Sequence, residues 1–149
     1  MLTIQKTHRK IPMKLIVTTL VPAPLTKVWK AYTSPEDIVK WNAASADWHT
    51  TLANVDLRAG GRFLSRMEAK DGSSGFDFAG EYINVEPEKL IDYRFGEREA
   101  SVRFANEPDG VRVTISFDPE TTNPVDKQLG GWQAILDNFA RYVDSLPDQ

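Results

Sequence analysis

The run from Met13 to Val21 is β-branched and apolar and is bounded by Pro12 on one side and by Pro22 and Pro24 on the other, which predicts a first strand. From Leu25 to Tyr32 the apolar positions Leu25, Val28, Trp29 and Tyr32 step at helical spacing, and Ser34-Pro35-Glu36 opens a second short helix through Ile38, Val39 and Trp41. Asn42 to Thr51 follows neither period and predicts an irregular loop carrying Trp48 and His49. Beyond it the spacing changes to runs of strand length: Leu52 to Leu57, Gly61 to Lys70, Phe76 to Val85, Leu90 to Gly96, Glu99 to Ala105 and Val111 to Phe117. The connections Asp71 to Gly75, Glu86 to Lys89 and Asn106 to Gly110 are polar and contain Gly or Pro, as hairpins between antiparallel neighbours require.

Alternation is cleanest in the last of these runs, where Val111, Val113, Ile115 and Phe117 share one face and Arg112, Thr114 and Ser116 the other. In Phe76 to Val85 the phase breaks, Phe76, Phe78 and Tyr82 opposing Ile83 and Val85, and Gly80 is the candidate position for a bulge; the register stays open. The chain closes with a long amphipathic helix. Asn123 is placed as its N-cap, Pro124 as N1 and Asp126 near the positive end of the dipole, while Val125, Leu129, Trp132, Leu136, Phe139, Val143 and Leu146 form one apolar stripe. Gly130 and Gly131 interrupt this helix at about 1 kcal/mol each relative to Ala. Close packing or a kink would account for them, as would a gap that makes room for a ligand.

The element order is strand, two short helices, six strands and a long helix, which is an α+β chain whose sheet needs an apolar cover. A seven-stranded sheet curls with its twist, and a single helix stripe does not fill the concavity unless large side chains plug it, so a cavity is the expected by-product. A single domain over 13–146 is expected, with an N-terminal arm at 1–12 and a short tail at 147–149. The candidate lining from the helix is Trp132, Ile135, Leu136 and Phe139; from the strands it is Phe78, Tyr93, Phe104, Val113, Ile115 and Phe117. Core is the commoner fate of such a stripe, and ligand contact the alternative. Tyr82 and Tyr93 stand out because a buried hydroxyl wants a partner and can orient a ligand.

With 149 residues, 41% of them hydrophobic and 26% charged, the composition describes one soluble domain of ordinary size. Zero Cys excludes a disulfide scaffold, a thiolate nucleophile and cysteine-ligated metal centres. No apolar run approaches the roughly 20 residues of a membrane span and the first residues lack a signal peptide's apolar region, so no integral membrane association and a cytoplasmic location are expected. The net charge is −3, and the first 35 residues hold six Lys/Arg and no acid, leaving an acidic body that would repel a polyanion; nucleic acid is not an expected partner.

Candidate acid–base chemistry is sparse. His8 lies in the arm, so His49 alone could act near neutral pH, either as a polar contact at a pocket mouth or simply bonded to nearby backbone. No His pair or Asp/His cluster has metal-ligand spacing, and neither a metal nor a cofactor is expected. Gly60-Gly61 precedes a strand rather than a helix, which argues for a hairpin turn over a phosphate loop. Arg58 and Arg62 flank it as solvated residues, as partners of Asp56, or as contacts for an anionic head. Glu68 and Glu81 on successive strands could approach one another and raise one carboxyl, or lie on a solvated face. Trp41 and Trp48 bracket a loop at one end of the core, closing it or gating a ligand.

Four stretches carry a family resemblance: Val21-Pro22-Ala23-Pro24 followed by Val28-Trp29; Asp56 to Phe63, with its Gly60-Gly61-Arg62-Phe63; Gly80-Glu81-Tyr82 running into Pro87-Glu88-Lys89-Leu90; and Gly131 to Phe139. Over about 13–146 the chain resembles the helix-grip fold of the START and birch-pollen-allergen superfamily, and within it the bacterial branch named after the activator of the heat-shock-protein-90 ATPase. The resemblance implies a curved antiparallel seven-stranded sheet with the long helix packed across it, and a cavity between them for a hydrophobic small molecule or lipid. Trp41, Trp48 and His49 would then stand near the cavity entrance. Superfamily relatives include polyketide cyclases and aromatases, so an enzyme of cyclase-like or hydrolase-like type, with His49, Tyr82 and Tyr93 carrying the chemistry, is the alternative. A chaperone partner is a weaker one, since those activators also carry a separate chaperone-binding domain for which this chain has no room. A homodimer stays open, the basic arm being free to fold onto a second copy.

Overall fold

The computed structural model describes residues 13–147, so the arm at 1–12 and the last two residues of the tail lie outside the described residues. Strand β1 (Leu15–Val21) is followed by helices α1 (Leu25–Thr33) and α2 (Pro35–Trp41). Six strands come next: β2 (Trp48–Val55), β3 (Arg62–Ala69), β4 (Gly75–Glu86), β5 (Leu90–Phe95), β6 (Arg98–Glu107) and β7 (Gly110–Phe117). Helix α3 (Val125–Ser145) ends the fold. The strands form one antiparallel sheet in the order β1-β7-β6-β5-β4-β3-β2. From β2 to β7 every neighbour in sequence is a neighbour in space, and only the passage from β1 to β2 crosses the sheet, carried by α1 and α2. The two short helices therefore lie over the concave face.

Alternation decides which side chains meet there. In β7 Val111, Val113, Ile115 and Phe117 are buried and in β6 Ala100, Val102 and Phe104, while the intervening residues reach solvent or the sheet rim. Helix α3 packs its stripe of Leu136, Phe139 and Val143 against this half, and Gln133 donates from Nε2 to the carbonyl of Thr18 at 2.9 Å, tethering the helix to edge strand β1. The 21-residue helix is about 32 Å long.

Several expectations are corrected. The irregular loop ends early, because β2 begins at Trp48 and pairs Trp48 with Ala69 and His49 with Glu68. The bulge in β4 falls between Tyr82 and Asn84 rather than at Gly80, which moves Ile83 out to solvent and shifts the phase of the strand behind it. Gly80 has a different reason: a Cβ there would meet the Arg94 carbonyl at 2.2 Å and the Phe63 ring at 2.7 Å. At the start of α3, Pro124 occupies the N-cap with no side-chain cap bond. Asn123 is engaged instead by the Glu120 carboxylate, and Gln128 secures the turn by accepting from the Glu120 N–H and donating to the carbonyls of Glu120 and Asn123. Gly130 and Gly131 sit in unbroken helix, and a Cβ at either would meet no atom within 4 Å, so close packing does not explain them. Glu68 pairs with Gly75 and Glu81 with Arg62, at opposite ends of the β3–β4 ladder and about 20 Å apart, so these carboxylates do not meet.

No helix among the described residues is long and apolar enough to cross a membrane.

Candidate functional site

The β1–β7–β6 half of the concave face is filled except where Arg98 and Ile115 reach its border, whereas over β3, β4 and β5 the helices stand off the sheet and leave a half-open cavity of about 380 Å³. Its floor is Phe63, Ser65 and Met67 from β3, Phe76, Phe78 and Tyr82 from β4, and Ile91, Tyr93 and Phe95 from β5. Its roof is Tyr32 from α1, Ile38 and Trp41 from α2, and Trp132 and Ile135 from α3. The volume falls within the usual range for small-molecule sites, and the lining is apolar and aromatic with few polar groups, as such sites require.

The aromatic rings brace one another. Phe63 contacts Phe78, Tyr82 and Tyr93 with centroids 5.7, 5.2 and 5.2 Å away, two tilted and the last edge-on. Trp132 stacks flat on Phe117 at 3.9 Å and meets Phe95 at 5.9 Å, so the helical wall is anchored to β7 and β5. Trp41 is fixed by its indole N–H, which donates to the Ala31 carbonyl at 2.9 Å.

Three phenols lie among the polar side chains of the lining, with Thr33, Asn42, Asn54, Ser65 and Arg98. The Tyr32, Tyr82 and Tyr93 hydroxyls make no hydrogen bond with the described residues, yet no buried side-chain polar atom among them lacks a partner, so these hydroxyls meet the space of the cavity itself. Burial pushes Tyr82 up to about 12, with the Asp56 carboxylate adding to it. Burial likewise raises Tyr32 and Tyr93, and each feels a neighbouring phenol, which places the three hydroxyls within one electrostatic neighbourhood. All three are neutral at physiological pH and can donate or accept a hydrogen bond, but they hold no ionised population to act as bases.

Of the candidate residues read from the sequence, Trp41, Phe78, Tyr82, Tyr93, Ile115, Trp132 and Ile135 line this cavity together. Phe104, Leu136 and Phe139 do not. They are buried beneath α1 and α2, with Phe104 edge-on to Trp29 and Tyr32 and Phe139 edge-on to Tyr32 and Trp41. Trp48 and His49 also lie elsewhere, in a second, polar depression between the α2–β2 loop and α3 that Lys40, Lys70, Asp137 and Arg141 share. Both belong to β2, and the Trp48 ring meets that of Phe76 at the cavity rim, with centroids 5.9 Å apart, without lining the cavity itself. Arg58 forms a surface ion pair with Asp56 at 2.9 Å.

Sequence reasoning missed Tyr32, Phe63, Phe95 and Arg98 as lining residues. The signal for Arg98 was present: it is in phase with Ala100, Val102 and Phe104, but a strand begun at Glu99 leaves it in a turn. No group of three or more metal-ligating side chains occurs among the described residues.

The family described as Activator of Hsp90 ATPase homolog 1-like protein matches residues 22–144 of the chain. No curated protein matches it significantly. Among solved structures, the AHSA1-like protein from Aeromonas hydrophila is 46% identical over 89% of this chain and 93% of its own, with a TM-score of 0.85. A protein from Cytophaga hutchinsonii is 42% identical over 91% of this chain and 98% of its own, with a TM-score of 0.77. One from Chromobacterium violaceum shares the fold at 24% identity, covering 92% of this chain and 100% of its own with a TM-score of 0.80.

Proposed function

The chain belongs to the Activator of Hsp90 ATPase homolog 1-like family, and on that premise we propose that it is a cytoplasmic protein whose helix-grip domain binds a hydrophobic small molecule or lipid in the cavity between the sheet and α3. The observation that carries this reading is the trio of phenol hydroxyls presented, without protein partners, to a largely apolar space of about 380 Å³. A core built only for stability would fill that space, because the side chains around a void lose packing contacts on that side. Binding without turnover is the economical reading: the phenols are neutral and His49 lies in the other depression.

The test is native mass spectrometry of the gently purified chain against its denatured mass, followed by titration with straight-chain alcohols and acids read by tryptophan fluorescence, since Trp41 and Trp132 line the site. A reproducible extra mass, or saturable binding of one ligand per chain, is expected. Ser65→Leu, which places an isobutyl group in the cavity floor, should abolish binding and leave the melting temperature unchanged or higher. Absence of an extra mass together with no saturable binding across the series would overturn the proposal.

A further inference from the structure

Twenty side chains line the cavity, and Arg98 is the one among them that carries a charge. Strand alternation puts it there: Arg98, Ala100, Val102 and Phe104 share the concave face of β6, while Glu99 and Arg103 face solvent. Arg98 pairs across the β5–β6 hairpin with Phe95, and its guanidinium carbon stands 4.7 Å from the centre of that ring. Its Nε and Nη2 both donate to the main-chain carbonyl of Asp118, at 3.1 and 3.0 Å.

No carboxylate among the described residues is ion-paired with it. The Asp118 carboxylate is taken by Lys14 at 2.6 Å and by the Glu99 N–H at 2.8 Å, and that of Glu120 by Asn123. On the surface Arg58, Arg66, Arg94 and Arg112 each have an acidic partner, whereas Arg98 acts on the Asp118 and Glu120 carboxylates only through space. A cation against apolar walls is costly unless it is paired. The Asp118 carbonyl and the Phe95 ring offset part of that cost, and they hold the fork rigidly. Two edge donors face Asp118; the Nη1 hydrogens and the second Nη2 hydrogen are left over, and these form the edge that receives a carboxylate in bidentate fashion.

We infer that the cavity takes an anionic amphiphile, an acid whose carboxylate seats on the free edge of the Arg98 guanidinium while its apolar body runs past Phe95 over the Phe63, Phe78 and Tyr93 rings. The inference rests on the cavity being a ligand site, as proposed above. The volume corresponds to on the order of a dozen water-sized groups, which sets the length of the body at medium-chain rather than membrane-lipid size. The phenols serve as a second polar station, suited to a hydroxyl or carbonyl along that body.

Calorimetric titration of the full chain with decanoate, decanol and decyltrimethylammonium, which share one tail and differ in the head, tests it. Decanoate is expected to bind at least about tenfold more tightly than decanol, and the ammonium most weakly. Arg98→Met should remove the preference for the acid and leave decanol affinity unchanged. Arg98→Lys, which keeps the charge without the fork, should retain part of it, and carries the test if the methionine variant does not fold. Equal affinity for acid and alcohol in the wild type, or a preference that both variants keep, would overturn the role of Arg98 and leave the cavity reading standing. Saturable binding of none of the three would overturn both.

Discussion

The two halves of one concave face solve the same problem differently. Beneath α3, the β1, β6 and β7 side packs Val21, Val102, Val111, Val113, Phe117, Phe139 and Val143 at 1% exposure or less. On the β3–β5 side the side chains are as apolar and as aromatic, yet they end at a cavity, and Phe76 at the rim is 51% exposed. Composition does not separate the two halves. Helix coverage does: α3 is tied by Gln133 to edge strand β1 and by Trp132 stacking to β7, and its reach stops before β4. A cavity in this fold is therefore a matter of where the helix is anchored, and the residues facing it are free to be chosen for a ligand.

Truncating a ring in each half puts that contrast to its strongest test. Phe139→Ala leaves a hole among Tyr32, Trp41, Leu136 and the sheet, where nothing can collapse, and should cost about 3–5 kcal/mol. Phe78→Ala enlarges a space that already exists; it loses burial of a partly exposed ring and should cost about 1–2 kcal/mol. Denaturant melts of the two variants measure both. Equal costs would mean that the cavity half is as tightly packed in solution as the other, and would break the comparison.

The dense half was the legible one. Strict alternation in β7 names its buried face, and the stripe of α3 names Leu136, Phe139 and Val143, though Val125 at its start is exposed, because helical and strand periods are local properties of the chain. The elements and the helix-grip order were readable for the same reason. The cavity half was not, and each miss has a physical cause. The bulge at Ile83 reverses the phase of β4, and nothing local distinguishes a bulge there from one at Gly80. The start of β2 at Trp48 depends on pairing with Ala69, a contact no local pattern encodes. Leu136 and Phe139 share a stripe with Trp132, and only the position of α1 and α2 decides that the first two side chains go to core and the indole to the cavity.

Alkaline titration sharpens the comparison at an intermediate scale, because three of the four tyrosines belong to the cavity. Below pH 10 the native and unfolded states both hold the Tyr82 proton and its contribution to stability is constant. Between about 10 and about 12 the unfolded chain releases that proton while the native phenol keeps it, so the native state binds more protons and stability falls as pH rises. The loss from this residue alone is on the order of 2 kcal/mol. Tyr82→Phe should flatten that part of the stability curve, measured by urea melts near about pH 9 and about pH 11. Tyrosinate absorbance in the native protein should stay low over the same interval and rise together with unfolding. A gradual rise in the folded protein would show the phenols open to solvent.

The smallest effect expected is also the one that separates packing from purpose. Gly130 is exposed and Gly131 half-buried, and neither is held to glycine by a neighbour or by a positive φ. Each Gly→Ala change should stabilise the protein by about 1 kcal/mol through helix propensity alone, read as a shift of the denaturation midpoint at constant slope. Neither residue lines the cavity, but Gly131 adjoins Trp132, which does. If the glycine pair serves only local backbone geometry, the double variant gains the sum and binds ligand as the wild type does. If α3 must bend at these positions to admit a ligand, the same variant is more stable and slower to take up decanoate, with equilibrium affinity little changed. Stopped-flow tryptophan fluorescence distinguishes the two, and a rate slowed in proportion to the stability gained would make the helix, and not the sheet, the moving wall of the cavity.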